Sequence, residues 1–208
     1  MKIGGFQPVT FSDFPGRMAA IVFTQGCNFR CPFCHNTGLL PQKSVSPVAE
    51  DTVISLLTRR RGRLSGVVIT GGEPCLQKDL ARFCEKISAM GFAVKLDTNG
   101  SRPDVIETLL AGGFVDFIAM DIKAPFERLN ELTGISFPAA EIRRSIDLIA
   151  RSGIDHLFRT TDVRPLLSPA DLAAIKQCVP AGSPHIVQSF VAENALSASL
   201  RTKAPHVF

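Results

Sequence analysis

Short apolar runs recur along the chain, separated by longer stretches whose apolar residues return every three or four positions. Residues 19–24 (AAIVFT), 66–70 (GVVIT), 92–96 (FAVKL), 115–120 (VDFIAM), 156–161 (HLFRTT) and 185–188 (HIVQ) each read as a buried strand. Between them, Leu80, Phe83, Cys84 and Ile87 fall on one face of a helix, and Ile142, Ile146 and Ile149 do the same among charged neighbours. Ser168-Pro169 supplies an N-cap and a first-turn proline for a helix carrying Leu172, Ile175 and Val179. Pro103 opens a shorter helix that Gly112-Gly113 would end. Strand alternating with helix predicts a parallel α/β sheet. A doubly wound open sheet and an incomplete (β/α)6 barrel both fit this rhythm, and the pattern does not separate them.

Each strand gives way to polar residues at its carboxyl end. GCNFRCPFC comes after the first, Gly71-Gly72-Glu73-Pro74 after the second, and Asp97-Thr98-Asn99-Gly100 closes the third. The fourth ends in Asp121-Ile122-Lys123, the fifth carries Arg159 and Thr161, and the sixth carries Gln188. Each motif has a plain structural explanation: glycines and proline make turns, Asn-Gly is a turn pair, and Asp121 and Lys123 share a strand face as an ion pair. Parallel α/β folds, however, gather their ligands at the carboxyl ends of strands. All six ends would point at one mouth, and a shared site explains the coincidence better than six separate turns.

Composition narrows the setting. With 208 residues, 45% hydrophobic and 20% charged, the chain is expected to form one domain over 1–208 with a sizeable core. The N-terminal residues lack a signal-peptide pattern and no apolar run reaches the ~18–20 residues of a membrane span, so a cytoplasmic location without membrane attachment is expected. The basic run Arg59-Arg60-Arg61-Gly62-Arg63 comes after Val53, Leu56 and Leu57 and reads as a helix C-terminus, with an acidic partner as the other reading. No aromatics interleave it, so nucleic acid is not expected. The chain ends at Phe208, so any element closing over substrate after the last strand is expected to be short.

Cys27, Cys31, Cys34 and His35 stand within nine positions. In a reducing compartment such a group holds metal or does catalysis. C-x-x-C-H is also the c-type haem attachment string, and three cysteines with a histidine make a zinc set. Directly adjacent Cys34 and His35 seldom reach one tetrahedral ion, and zinc would leave the strand-end charges without purpose. Three thiolates on a 4Fe–4S cluster leave one iron open to an outside ligand, which a reaction centre needs. Of the other cysteines, Cys84 and Cys178 read as small core residues. The role of Cys75, after Pro74, is open.

C-x3-C-x2-C at Cys27, Cys31 and Cys34, with Phe33 before the last cysteine and Gly71-Gly72-Glu73-Pro74 beyond, resembles the radical S-adenosylmethionine enzymes. That resemblance implies a partial (β/α)6 barrel. CPFCHN, DTNG and MDIKAP resemble the glycyl-radical-enzyme activating enzymes. GFQPVTFSDFPGRMAAIVFTQGCNFRCPFCHN and FRTTDVRPLL are most similar to the anaerobic ribonucleoside-triphosphate reductase activating proteins. Residues 35–65 hold no cysteine, so the ferredoxin insert of some activating enzymes is missing and the compact type is implied.

The resemblance implies these roles. Cys27, Cys31 and Cys34 ligate three irons, and S-adenosylmethionine takes the fourth. Phe33 lies against the adenine, Gly71 and Gly72 admit the methionine amino group, and Glu73 holds it. Asp97, Thr98 and Asp121 match a monovalent-cation site. Asn99, Lys123 and Arg159 contact ribose and carboxylate, and Gln188 the adenine. The implied reaction is reductive cleavage to a 5′-deoxyadenosyl radical that installs a glycyl radical on a partner enzyme, with flavodoxin or ferredoxin as donor. The competing functions are a small-molecule radical enzyme, such as one of deazapurine carboxylate synthesis, and a non-catalytic iron–sulfur carrier or zinc adaptor.

Overall fold

The computed structural model describes residues 1–41 and 46–201. The end of the domain expected over 1–208, with part of any closing element before Phe208, lies outside the described residues. A strand that the apolar pattern does not predict comes first: β1, Ile3–Thr10. The six expected strands come next as β2 (Ala19–Thr24), β3 (Gly66–Gly71), β4 (Ala93–Thr98), β5 (Phe117–Asp121), β6 (Asp155–Asp162) and β7 (His185–Ser189). The helices are α1 (Glu50–Arg59), α2 (Leu80–Ala89), α3 (Pro103–Ala111), α4 (Leu129–Thr133), α5 (Ala139–Arg151) and α6 (Pro169–Cys178). Ser168 and Asp171 form the capping box that starts α6.

The sheet runs β1 to β7 in chain order. β1 pairs antiparallel with β2, and every later pair is parallel. A doubly wound sheet reverses its order at a switch point; this one never does. The order is that of an incomplete (β/α) barrel, with an added antiparallel edge strand.

The two faces of the sheet differ in kind. Outward-facing Ala20, Val22, Val67, Ile69, Val94, Leu96, Ile118 and Met120 pack with Val53, Leu57, Phe83, Ile87, Ile106, Leu109, Ile146 and Ile149 in the main core. Each large aliphatic side chain buried there contributes roughly 1.5–3 kcal/mol. On the inner face Phe14, Ala19, Ile21 and Val68 form a second, small core. Phe14 comes from the β1–β2 connection, and its ring meets Phe117 edge-on at 6.0 Å. Gly66 makes room for it, because a Cβ there would sit 2.8 Å from the ring. This apolar plug fills the lumen at the strands' N-terminal ends, and the polar residues lie above it.

Cys84 is buried in the main core, as expected. Cys178 is half-buried, against expectation, with its thiol donating to the Ala174 carbonyl at 3.2 Å. Ile175 is the one buried residue of α6, so the apolar side of that helix is too narrow to include Cys178. Arg59 ends α1 as expected, and the Arg60 N–H closes its last turn on Leu57 and Thr58. Among the described residues no helix is long and apolar enough to cross a membrane.

Candidate active site

A cavity of about 450 Å³ opens at the carboxyl ends of the strands. The residues to which the resemblance assigns roles line it: the three cysteines with Phe33, Gly71 to Glu73, Asp97 to Asn99, Asp121, Lys123, Arg159 and Gln188. Pro74, Cys75 and Gly100 do not. One wall is the loop after β2, which carries Cys27, Cys31 and Cys34. The loop is closed at its neck by Gly26 N–H on Leu39 O (2.7 Å) and held at its far side by Arg30 N–H on Thr133 O (2.7 Å). The Arg30 guanidinium donates to the Cys27 and Phe29 carbonyls, both at 2.7 Å. Asn28 donates to Ser101 Oγ at 2.9 Å and accepts from Asn99 Nδ2 at 3.1 Å. Near its tip, Ser197 N–H donates to Pro32 O at 2.8 Å, and the His35 ring stacks on Phe190. The cysteines are therefore set by contacts to four other parts of the chain, an arrangement that orients ligands before anything binds.

Gly71 and Gly72 have a reason independent of any ligand. Gly71 has φ +120°, and a Cβ on it would lie 2.4 Å from Thr24 N. On Gly72 a Cβ would lie 2.1 Å from Gly26 O. Only glycine lets this loop lie against the neck of the cysteine loop, where Gly72 N–H bonds Thr24 O (3.0 Å) and Glu73 N–H bonds Gly26 O (2.9 Å). Glu73 is fully buried. Its Oε1 accepts from Cys75 N–H (3.0 Å) and Thr98 Oγ1 (2.8 Å), and its Oε2 from Asn99 N–H (2.7 Å). The carboxylate thus ties the end of β3 to the end of β4. Cys75 lies in the same knot, its thiol 3.5 Å from Thr98 Oγ1.

The lumen above the plug holds a row of charges. Lys95 pairs with Asp97, and Arg159 reaches Asp97 at 3.3 Å and Asp121 at 2.8 Å. Lys123 pairs with Asp121 at 2.9 Å. Arg159 stands beside Asp121 because the two are register partners across β5 and β6. Lys95 is not among the residues expected here, although a lone cation inside FAVKL was the available signal: it shares Asp97's face of β4, the lumen side. The side chains of Asp97 and Asp121 meet on Arg159, and that of Thr98 does not join them. Thr98 is the strand neighbour of Asp97, so its hydroxyl points the opposite way, at Glu73.

The donor set fits an iron–sulfur cluster better than a single ion. Among the described residues no three His, Cys, Asp or Glu side chains are gathered to hold one metal ion. His35, the fourth donor a zinc site would need, lies on Phe190 with ring centroids 5.4 Å apart. Three thiols on one loop, each free to take a different iron, suit a multi-iron group. Burial, with Glu73 nearby, pushes the Cys27 thiol up to about 11; burial pushes Cys31 to about 12, and Lys123 pulls both back. Metal must displace these protons on binding.

A family model described as the radical SAM superfamily matches residues 21–177. A Methanocaldococcus jannaschii protein that carries the provisional name of glycyl-radical enzyme activating enzyme is 30% identical over 93% of this chain and 81% of its own. The pyruvate formate-lyase 1-activating enzyme of Escherichia coli K12 is 33% identical over 65% of this chain and 57% of its own. A 7-carboxy-7-deazaguanine synthase of Hyperthermus butylicus is 36% identical over 43% of this chain, which spans 38% of that protein. Among solved structures, Streptococcus suis SuiB bound to precursor peptide SuiA matches with a TM-score of 0.68 at 14% identity, over 88% of this chain and 41% of that one. That likeness is one of fold.

Proposed function

The chain belongs to the radical S-adenosylmethionine superfamily, whose members use a 4Fe–4S cluster and S-adenosylmethionine, and from that premise we propose that it is an oxidoreductase that installs a glycyl radical on a partner enzyme. The partner in this reading is an anaerobic ribonucleoside-triphosphate reductase, and a flavodoxin or ferredoxin supplies the electron. Two relatives named as activating enzymes support the class of reaction. The observation that carries the reading is the size of the site. At about 450 Å³ the cavity lies low in the ~300–1,000 Å³ range of small-molecule pockets, so a cluster-bound nucleoside cofactor fills most of it. The second substrate then approaches from outside, as a protein segment does.

When bound, cluster and cofactor supply a carbon radical able to take hydrogen from an unactivated position. The chain supplies the positioning. Cys27, Cys31 and Cys34 hold three irons on the braced loop. Buried Phe33 would meet the adenine, Lys123 and Arg159 would meet the carboxylate, and Gln188 lines the same cavity. Glu73 and Asn99 act from behind, since both are tied to the protein. Three thiols that must stay unoxidised suit a cytoplasmic location.

The test is anaerobic incubation with reductant, S-adenosylmethionine and the reductase deuterated at glycine. Deuterium entering 5′-deoxyadenosine, together with a glycyl radical signal on the partner, supports the reading. Cofactor cleavage without deuterium transfer refutes it. A small-molecule substrate is the second reading, favoured by the match to a deazaguanine synthase; a carboxylated deazapurine product would establish it.

A further inference from the structure

The resemblance places a monovalent cation among Asp97, Thr98 and Asp121, and the donor set in the lumen does not fit one. We propose that Arg159 is the resident cation of this site, a tethered guanidinium standing where a free sodium or potassium ion would otherwise bind. Each of the four carboxylate oxygens already faces a cationic nitrogen. Asp97 Oδ1 faces Lys95 and its Oδ2 faces Arg159 Nη1; Asp121 Oδ1 faces Arg159 Nε and its Oδ2 faces Lys123. The third expected ligand is engaged elsewhere, since Thr98 Oγ1 donates to Glu73 at 2.8 Å and accepts from Gly100 N–H at 3.1 Å.

Charge balance argues the same way. Lys95, Lys123 and Arg159 bring three positive charges to two carboxylates, in a group where Lys95 and Arg159 are only 3% and 18% exposed. A further cation would enter a group that is already positive, lose its hydration, and find no uncommitted carboxylate oxygen. The guanidinium also stays charged at every working pH and reaches both carboxylates through separate nitrogens, as a lysine could not. Its Nη2 has no protein partner among the described residues. The surplus charge therefore remains for the anionic end of a ligand. That last step rests on the cofactor reading above; the displacement of the free ion does not.

The experiment compares potassium, sodium and choline chlorides at equal ionic strength, using two readouts. One is the thermal midpoint of the metal-free chain, which needs neither cluster nor cofactor. The other is the affinity of the cluster-loaded protein for S-adenosylmethionine, tracked by the change the cofactor makes in the cluster's electron paramagnetic resonance signal. The wild type is expected to show the same midpoint and affinity in all three salts. Arg159→Gln uncovers two carboxylates and is expected to become selective, with affinity about tenfold or more higher in potassium or sodium than in choline, an ordinary size for two linked ligands. Arg159→Lys restores a tethered charge and is expected to weaken that selectivity. A wild-type midpoint or affinity that falls in choline overturns the proposal, as does a folded Arg159→Gln variant indifferent to the cation. If that variant does not fold, the wild-type midpoints decide. If the cofactor never binds, the functional reading fails while the midpoints still judge Arg159.

Discussion

Replacing Glu73 by Gln tests whether its carboxylate is a brace. The native carboxylate is fully buried and accepts three hydrogen bonds, from Cys75 N–H, Thr98 Oγ1 and Asn99 N–H. An amide has one acceptor oxygen. With that oxygen toward Cys75 and Thr98, the amide NH2 faces the Asn99 N–H, and a buried backbone donor loses its partner. The opposite orientation abandons Cys75 N–H and forces the Thr98 hydroxyl to turn, so the first is favoured. One unsatisfied buried donor costs about 1–3 kcal/mol. For a domain of this size, at about 2–4 °C per kcal/mol, the thermal midpoint should fall by roughly 2–12 °C. Glu73→Ala strands all three donors and should fall further. The assay is far-ultraviolet circular dichroism on the metal-free chain, because with no Trp or Tyr the intrinsic fluorescence is of little use. A Glu73→Gln midpoint within about 1 °C of wild type, below the effect of a single lost buried bond, would show that the carboxylate is not a brace. Weaker cofactor binding with that unchanged midpoint would return Glu73 to the amino-group role that the resemblance implies.

Gly72→Ala places a methyl 2.1 Å from Gly26 O, so iron content after anaerobic reconstitution should drop severely, whereas Gly38→Ala, with nothing within 4 Å, should load normally. Removing Cys27, Cys31 or Cys34 should abolish a stable cluster, while Cys178→Ser should leave iron content unchanged and Cys84→Ala should lower stability without affecting iron; iron and sulfide assays decide. Burial raises the Asp121 carboxyl, but Arg159 and Lys123 outweigh that and hold it well below the usual carboxylate range. A folded value below the unfolded ~3.9 stabilises fully at neutral pH and less as pH falls, so the stability gap to Asp121→Asn should be widest near pH 7 and shrink below about pH 4 in denaturant titrations.

How far the sequence can be read depends on which physics each residue reports. β2 to β5 are legible because burial on both sides forces unbroken apolar runs, and the polar groups at their ends stand out against those runs. β6 is only partly buried, and β7, expected to be buried, is largely exposed because it is the uncovered edge strand of the sheet. β1 is not legible, because Gly4, Gly5 and Pro8 hide it and its pairing slips register twice. Thr98 carries a signal the sequence already holds: adjacent strand residues face opposite ways, so the Asp97 and Thr98 side chains turn to different points. The glycine pair is visible as a motif, but its cause, the approach of Gly72 to Gly26, needs the fold. The same holds for Arg159, whose partners are set by a register between strands that no local pattern encodes.

On this reading the braced loop holds a cluster with one iron open to S-adenosylmethionine. Electron paramagnetic resonance on the anaerobically reconstituted, reduced protein, with and without that cofactor, tests it most directly. A 4Fe–4S⁺ signal that changes shape when S-adenosylmethionine is added is the expected result. A protein that assembles no cluster, or a signal indifferent to the cofactor, would contradict it.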